Sequence, residues 1–198
     1  PSLEMKRTIS GTLGTASMHI RDEVINRGNT TVPHMILYHC NFGWPLADEG
    51  STLHWKGDWS PRYPNNNNMI FHPANNFRIC PATMDEHNGS GEEVGIIDVT
   101  SDSFGISSCG IHNAKLGLAV ALRWPKKQLP WLTNWQHWAK GEYVTGLEPG
   151  TNPPIGQKMA REQQTLIFIE PGESRTYNLE IEVLADQGSI KKFVEELT

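Results

Sequence analysis

Alternation with a period of two constrains this chain more than any other feature. Tyr177, Leu179, Ile181 and Val183 are interleaved with Asn178, Glu180 and Glu182, and Glu170-Pro171-Gly172-Glu173 before them is a strong turn signal. Successive side chains of a strand point to opposite faces, so this segment reads as a strand with one face buried. Met18, Ile20 and Val24 alternate with His19, Arg21 and Glu23 in the same way, Asp22 interrupting the apolar side. A turn at Arg27-Gly28-Asn29 leads to a strand around Ile36 and Tyr38, and further strands are expected near 94–100, 116–124, 143–147 and 165–169. Only 189–197 reads as helix, with Ser189 as its N-cap and Ile190, Phe193, Val194 and Leu197 on one face. The Pro- and Asn-rich stretch 55–68 and the stretch 85–92 read as loops. Long antiparallel strands with few helices predict an all-β protein, an antiparallel β-sandwich with a short C-terminal helix, as one domain over residues 1–198.

Composition narrows the function classes. The chain has 198 residues, 37% hydrophobic and 20% charged, which is the balance of a folded globular domain. A formal charge of −5 argues against nucleic acid as a partner, since a nucleic-acid footprint needs clustered Lys and Arg. No apolar stretch reaches the roughly 18 residues of a membrane span, so no membrane association is expected. Cys40, Cys80 and Cys109 are odd in number and far apart, the pattern of free thiols in a reducing compartment, and the expected location is cytoplasmic. The sequence is compatible with a homo-oligomer. It begins at Pro1 and enters alternation almost at once, so it is expected to be part of a longer polypeptide.

The run Tyr143-Val144-Thr145-Gly146-Leu147-Glu148-Pro149-Gly150 places one carboxylate where a strand is expected to break into a Pro/Gly loop. Held at such an exit, Glu148 can serve as a general base; taken in isolation it reads as a solvated loop residue, and its neighbours argue for the first reading. Immediately upstream lie Trp131, Asn134, Trp135, Gln136, His137 and Trp138, a mixture of aromatic faces and polar groups that suits the C–H faces and hydroxyls of sugars. Each indole is also at home in a core. Phosphate-cradling, dinucleotide-binding, Cys-x-x-Cys and His-Glu-x-x-His motifs are absent, and no cofactor or metal is expected. His34 and His39, five apart, face opposite sides of any regular strand and make a poor metal pair. His39 is expected to end its strand before Asn41-Phe42-Gly43.

These two strand exits, with the Asn26-Arg27-Gly28 turn, His39-Cys40-Asn41-Phe42, Leu-Pro-aromatic-Leu-Thr-x-Trp at 129–135 and Gly-Leu-Glu-Pro at 146–149, resemble the galactose mutarotase (aldose 1-epimerase) superfamily, and within it an aldose-1-epimerase-like branch of unassigned role. The resemblance implies a galactose mutarotase-like supersandwich of which this chain is the C-terminal two-thirds. It implies an epimerase that interconverts sugar anomers, with Glu148 as general base and His39 as general acid. It suggests His72, His34, Trp135 and Asn41 as contacts to a small-molecule carbohydrate. The family's substrate-binding arginine and another histidine come from an N-terminal portion this chain lacks, and the acidic residue that holds sugar hydroxyls is replaced near Ile70-Phe71-His72, where His72 stands instead.

The residue types fit that chemistry without the family. Mutarotation needs a base for the anomeric hydroxyl proton and an acid for the ring oxygen, and a carboxylate with a histidine, of ordinary pKa about 4.3 and about 6.5, supplies both. The same pair could enolise a sugar acid or keto-sugar, the aromatic surface could belong to a carbohydrate-binding module without turnover, and His34, His39 and His72 could hold a metal. Solvent deuterium entering carbon, binding without turnover and metal content distinguish these alternatives.

Overall fold

The computed structural model describes residues 2–64 and 67–197. In chain order its strands are β1 (Leu3–Gly11), β2 (Ser17–Asn26), β3 (Val32–His34), β4 (Cys40–Gly43), β5 (Thr52–Trp55), β6 (Gly57–Pro61), β7 (Glu93–Val99), β8 (Ile106–Asn113), β9 (Leu118–Pro125), β10 (Trp131–Ala139), β11 (Glu142–Gly150), β12 (Ile167–Ile169) and β13 (Ser174–Leu184). Helix α1 (Gln157–Glu162) precedes β12, and α2 (Gln187–Leu197) follows β13. A six-stranded sheet runs β1-β2-β13-β9-β8-β5, a five-stranded sheet runs β4-β11-β10-β7-β6, and β12 pairs with β3 as a ribbon. The pairings in both large sheets are antiparallel.

The two large sheets face each other across one core. Val24, Leu122 and Leu179 from the six-stranded sheet meet Ile97, Leu132 and Leu147 from the five-stranded sheet, all nearly or completely removed from solvent. Each such side chain contributes about 1.5–3 kcal/mol by leaving water. Trp124 is also buried, its indole N–H donating to the Leu129 carbonyl at 2.8 Å, so a large ring enters the core without an unpaired donor. On the outer face of the six-stranded sheet, α2 lays Ile190, Phe193 and Leu197 over Ala119 and Ala121. Gly110 completes that seat, since a Cβ there would fall 2.7 Å from the Phe193 ring.

Several expectations need correction. Helix α2 is capped by Asp186 rather than Ser189, because the Asp186 carboxylate accepts the Ser189 N–H at 2.8 Å. Within the stretch 55–68, expected to be loop, Gly57–Pro61 forms β6 against β7, and positions 65 and 66 lie outside the described residues. The strand expected at Ile36 and Tyr38 is instead an irregular link between β3 and β4, tied to β11 by Tyr38 N–H donating to the Pro149 carbonyl. His39 therefore stands just before β4 rather than at the end of a strand.

The most consequential correction concerns Glu148. Its strand does not break there but runs to Gly150, with Glu148 opposite Thr133 and Pro149 opposite Leu132. In a strand the N–H and C=O of one residue point to the same side. The Pro149 carbonyl faces Tyr38, away from β10, so its missing N–H removes nothing from the β10 ladder.

Candidate active site

Register brings the key side chains to one face of the five-stranded sheet. Glu148 pairs with Thr133, and Gly146 lies between Trp135 on one side and Asn41 on the other. Side chains alternate, so Glu148, Trp135, His137 and Asn41 share a face, and His39, two residues before Asn41, joins them. Gly146 has no side chain to fill the centre. A Cβ there would lie 2.3 Å from Glu148 Oε1, so the glycine makes the space in which the carboxyl group sits.

Glu148 is only 3% exposed. Its Oε1 lies 2.9 Å from His39 Nε2, within ion-pair distance but off the axis of an aligned hydrogen bond. On the other edge of the same ring, Nδ1 lies 2.8 Å from Asn41 Oδ1. An amide oxygen only accepts, so this contact is a hydrogen bond when Nδ1 carries the ring proton, and Nε2 is the nitrogen turned to the carboxyl group. Burial is the main cause that raises the Glu148 pKa to about 7; the Glu92 charge adds to this and Arg62 opposes it. Near neutral pH that carboxyl group therefore both takes and gives up a proton.

Trp135 joins this pair to a groove. Its ring meets the His39 ring edge-on at 5.6 Å and stacks on His137 at 5.8 Å with 2° between planes. Its indole N–H donates to Glu92 Oε2 at 2.6 Å, which fixes the ring. Beyond it opens a groove of about 690 Å³ bordered by Trp44, Glu92, Trp135, His137 and Tyr143. Neither His39 nor Glu148 borders this groove; Trp135, whose ring meets that of His39, connects the pair to it. Three buried polar atoms on this face lack an aligned hydrogen-bond partner: Glu148 Oε1, His137 Nε2 and Arg62 Nε. Such atoms are costly to bury and mark where a polar ligand gains by binding.

Glu148, His39, Asn41 and Trp135, expected at the site from the sequence, come together. His34 and His72 do not join them. His34 is buried in β3, its ring 5.6 Å from that of Tyr177, and burial with the nearby Arg175 charge holds its pKa below the ordinary value. His72 is exposed in a turn, its Nδ1 accepting the Ala74 N–H, and it borders a separate groove with Trp59, Phe71 and Phe77. Among the described residues no three His, Cys, Asp or Glu side chains converge as a metal-ligand set. Asn134 and Gln136, expected to form a mixed surface with the indoles, instead point to the opposite face, where Gln136 donates to Asn134 Oδ1 and accepts from Trp138.

Arg62, Glu92 and His137 were not singled out as site residues. Arg62 and Glu92 stand in Pro- and Gly-rich segments that read as loop. Only pairing reveals them: β6 runs against β7, Arg62 N–H donates to the Val94 carbonyl, and Val94 is opposite Trp135. The neighbouring Glu93 points the other way, where its carboxylate accepts the N–H groups of Met69, Ile70 and Phe71 and anchors that turn.

The two-sheet architecture is a galactose mutarotase-like fold. The chain is similar over 98% of its length to a Klebsiella pneumoniae protein provisionally assigned as an aldose 1-epimerase, with TM-score 0.84 and 22% identity, and spans 50% of that protein. It is similar to a galactose mutarotase-like protein from Lactobacillus casei (TM-score 0.62, 14% identity, 92% of this chain, 63% of that one) and to another from Clostridium acetobutylicum (0.60, 14%, 93% and 57%). It thus spans about half to just under two-thirds of the length of these three structures. No curated protein matches. By sequence, residues 1–183 match the family described as "Domain of unknown function (DUF4432)", and the chain belongs to that family.

Proposed function

We propose that this protein is a carbohydrate epimerase of the aldose 1-epimerase type, acting on a reducing sugar or sugar derivative, with Glu148 as general base and His39 as general acid. The observation that carries this reading is the buried Glu148 carboxyl group 2.9 Å from His39 Nε2, connected through Trp135 to an aromatic-walled groove. The anomeric hydroxyl oxygen and the ring oxygen are both bonded to C1, so an adjacent acid and base can reach them together. Glu148 takes the hydroxyl proton, His39 protonates the ring oxygen, the ring opens, and rotation about C1–C2 with reclosure gives the other anomer. No electrons are transferred and no C–H bond breaks, so the two side chains suffice. Trp135 offers an apolar face for the C–H side of the sugar, and Asn41, in contact with Nδ1, leaves Nε2 as the nitrogen that gives its proton to the ring oxygen.

The test is two-dimensional exchange NMR of anomeric protons on a panel of reducing sugars and sugar acids in D₂O. Accelerated anomer exchange with no deuterium in carbon supports the reading and names the substrate class. Deuterium entering carbon transfers the pair to C–H epimerisation, and saturable binding without exchange makes the face a binding module.

A further inference from the structure

A second group of unpartnered polar atoms lies at the start of β13, on residues that do not border the Trp135 groove. β13 pairs with β2 from Ser174 to Glu182 but with β9 only from Glu180 onward. The first residues of β13 therefore present a free edge, and the turn after β9 crosses it, Gln128 Oε1 accepting the Asn178 N–H at 2.8 Å. By the two-residue alternation of a strand, the Thr176 N–H points the same way. Between this edge and the turn is a cleft of about 330 Å³ bordered by Lys127, Gln128, Glu173, Arg175, Thr176 and Tyr177.

Two buried donors on residues that border it lack partners, while Arg175 Nη2 already donates to the Phe168 carbonyl at 3.3 Å. Tyr177 is 2% exposed, yet its hydroxyl makes no hydrogen bond, and the buried Arg175 Nε makes none either. Behind Tyr177, His34 Nε2 is likewise buried and unpaired. Lys127 forms no ion pair among the described residues. The one carboxylate on the cleft is already occupied: Glu173 Oε1 lies 3.1 Å from Arg175 Nη2, and Oε2 accepts the Glu170 N–H at 2.8 Å. A buried hydroxyl and guanidinium N–H left unpaired cost free energy that an acceptor in the cleft would recover. A guanidinium N–H and a hydroxyl on residues bordering the same cleft as an ammonium group suit an anionic acceptor best.

We propose that this cleft is a second ligand site, separate from the Glu148 face, that takes a small anionic group, a carboxylate or a phosphate, on Arg175, Tyr177 and Lys127. The inference does not depend on how the Glu148 face works.

The experiment is an NMR titration of the full-length protein, labelled in its His and Tyr rings, with inorganic phosphate and separately with acetate, at ionic strength matched by chloride. The site predicts saturable shifts of the His34 and Tyr177 resonances with at least one anion, and the stronger of the two identifies the ligand as phosphate-like or carboxylate-like. Tyr177→Phe, which keeps the ring packing, should weaken binding roughly tenfold, the cost of one charge-assisted hydrogen bond. Arg175→Met should abolish it, and Glu148→Gln should leave it unchanged. Shifts no larger than those in chloride would overturn the proposal. So would saturation that survives Tyr177→Phe unweakened, saturation lost in Glu148→Gln, or saturation by glycerol in preference to both anions.

Discussion

Replacing Glu148 by Gln should make the protein more stable near neutral pH and leave it nearly unchanged in acid. The carboxyl group is 3% exposed, and its pKa is raised from 4.5 to about 7, chiefly by burial. A raised folded pKa means that the folded state holds the proton more tightly than the unfolded chain. Its contribution to stability is therefore fully present below the unfolded value, is lost as pH rises through the folded value, and then levels off. The interval from 4.5 to about 7 corresponds to a loss of about 3 kcal/mol. Glutamine keeps the shape and does not titrate, so this loss is absent from the variant. Urea unfolding of both proteins from about pH 4 to about pH 8 measures it, because titrations common to the two cancel in the difference. The gap in favour of the variant should open above pH 4.5 and plateau just above neutrality. A gap that stays constant across the range would refute the claim that Glu148 is buried with a raised pKa.

Three further outcomes follow from the same geometry. Gly146→Ala puts a Cβ 2.3 Å from Glu148 Oε1; the carboxyl end can swing aside, so stability should change little while anomer exchange falls about 10²-fold, read by thermal unfolding beside turnover. Trp135→Ala removes the groove wall and should raise KM roughly tenfold with a smaller effect on kcat, measured by steady-state kinetics on the best sugar of the panel. Arg7 donates two hydrogen bonds to the fully buried Asp22, and this pairing, opposed by burial, lowers the Asp22 pKa. A depressed carboxylate pKa gives stability that is present above 3.8 and lost as pH falls through the folded value. Arg7→Met should cost about 2 kcal/mol near neutral pH, less than a fully buried pair because Arg7 is half exposed, and the deficit in urea unfolding should shrink in acid.

What the sequence made legible was set by how local the physics is. The alternation Tyr177, Leu179, Ile181 is a property of neighbouring residues, and β13 forms where that pattern predicts. Glu148, His39, Asn41 and Trp135 could be named because strand ends, aromatic clustering and a family resemblance mark them. Their arrangement could not be read the same way. Pro149 reads as a strand breaker in isolation, and only the Tyr38 N–H donated to its carbonyl shows that its missing N–H faces away from β10. Arg62 and Glu92 sit among prolines and glycines, and reach the site through β6 pairing with β7 and β7 with β10. His34 shows the opposite case: a residue close to His39 in sequence is carried by β3 to the ribbon with β12, because a short irregular link separates β3 from β4. Asp186 displaced Ser189 as the cap because both residue types cap helices and the first helical turn chose between them.

The central claim is that Glu148 and His39 move protons at an anomeric centre, and the most direct test is the anomer exchange rate of a responsive sugar, measured by NMR saturation transfer in the wild-type protein and in Glu148→Gln. Loss of a positioned proton acceptor should slow exchange by roughly 10² to 10⁴-fold while the variant remains folded and binds the sugar. Full exchange in a folded Glu148→Gln protein would contradict the account.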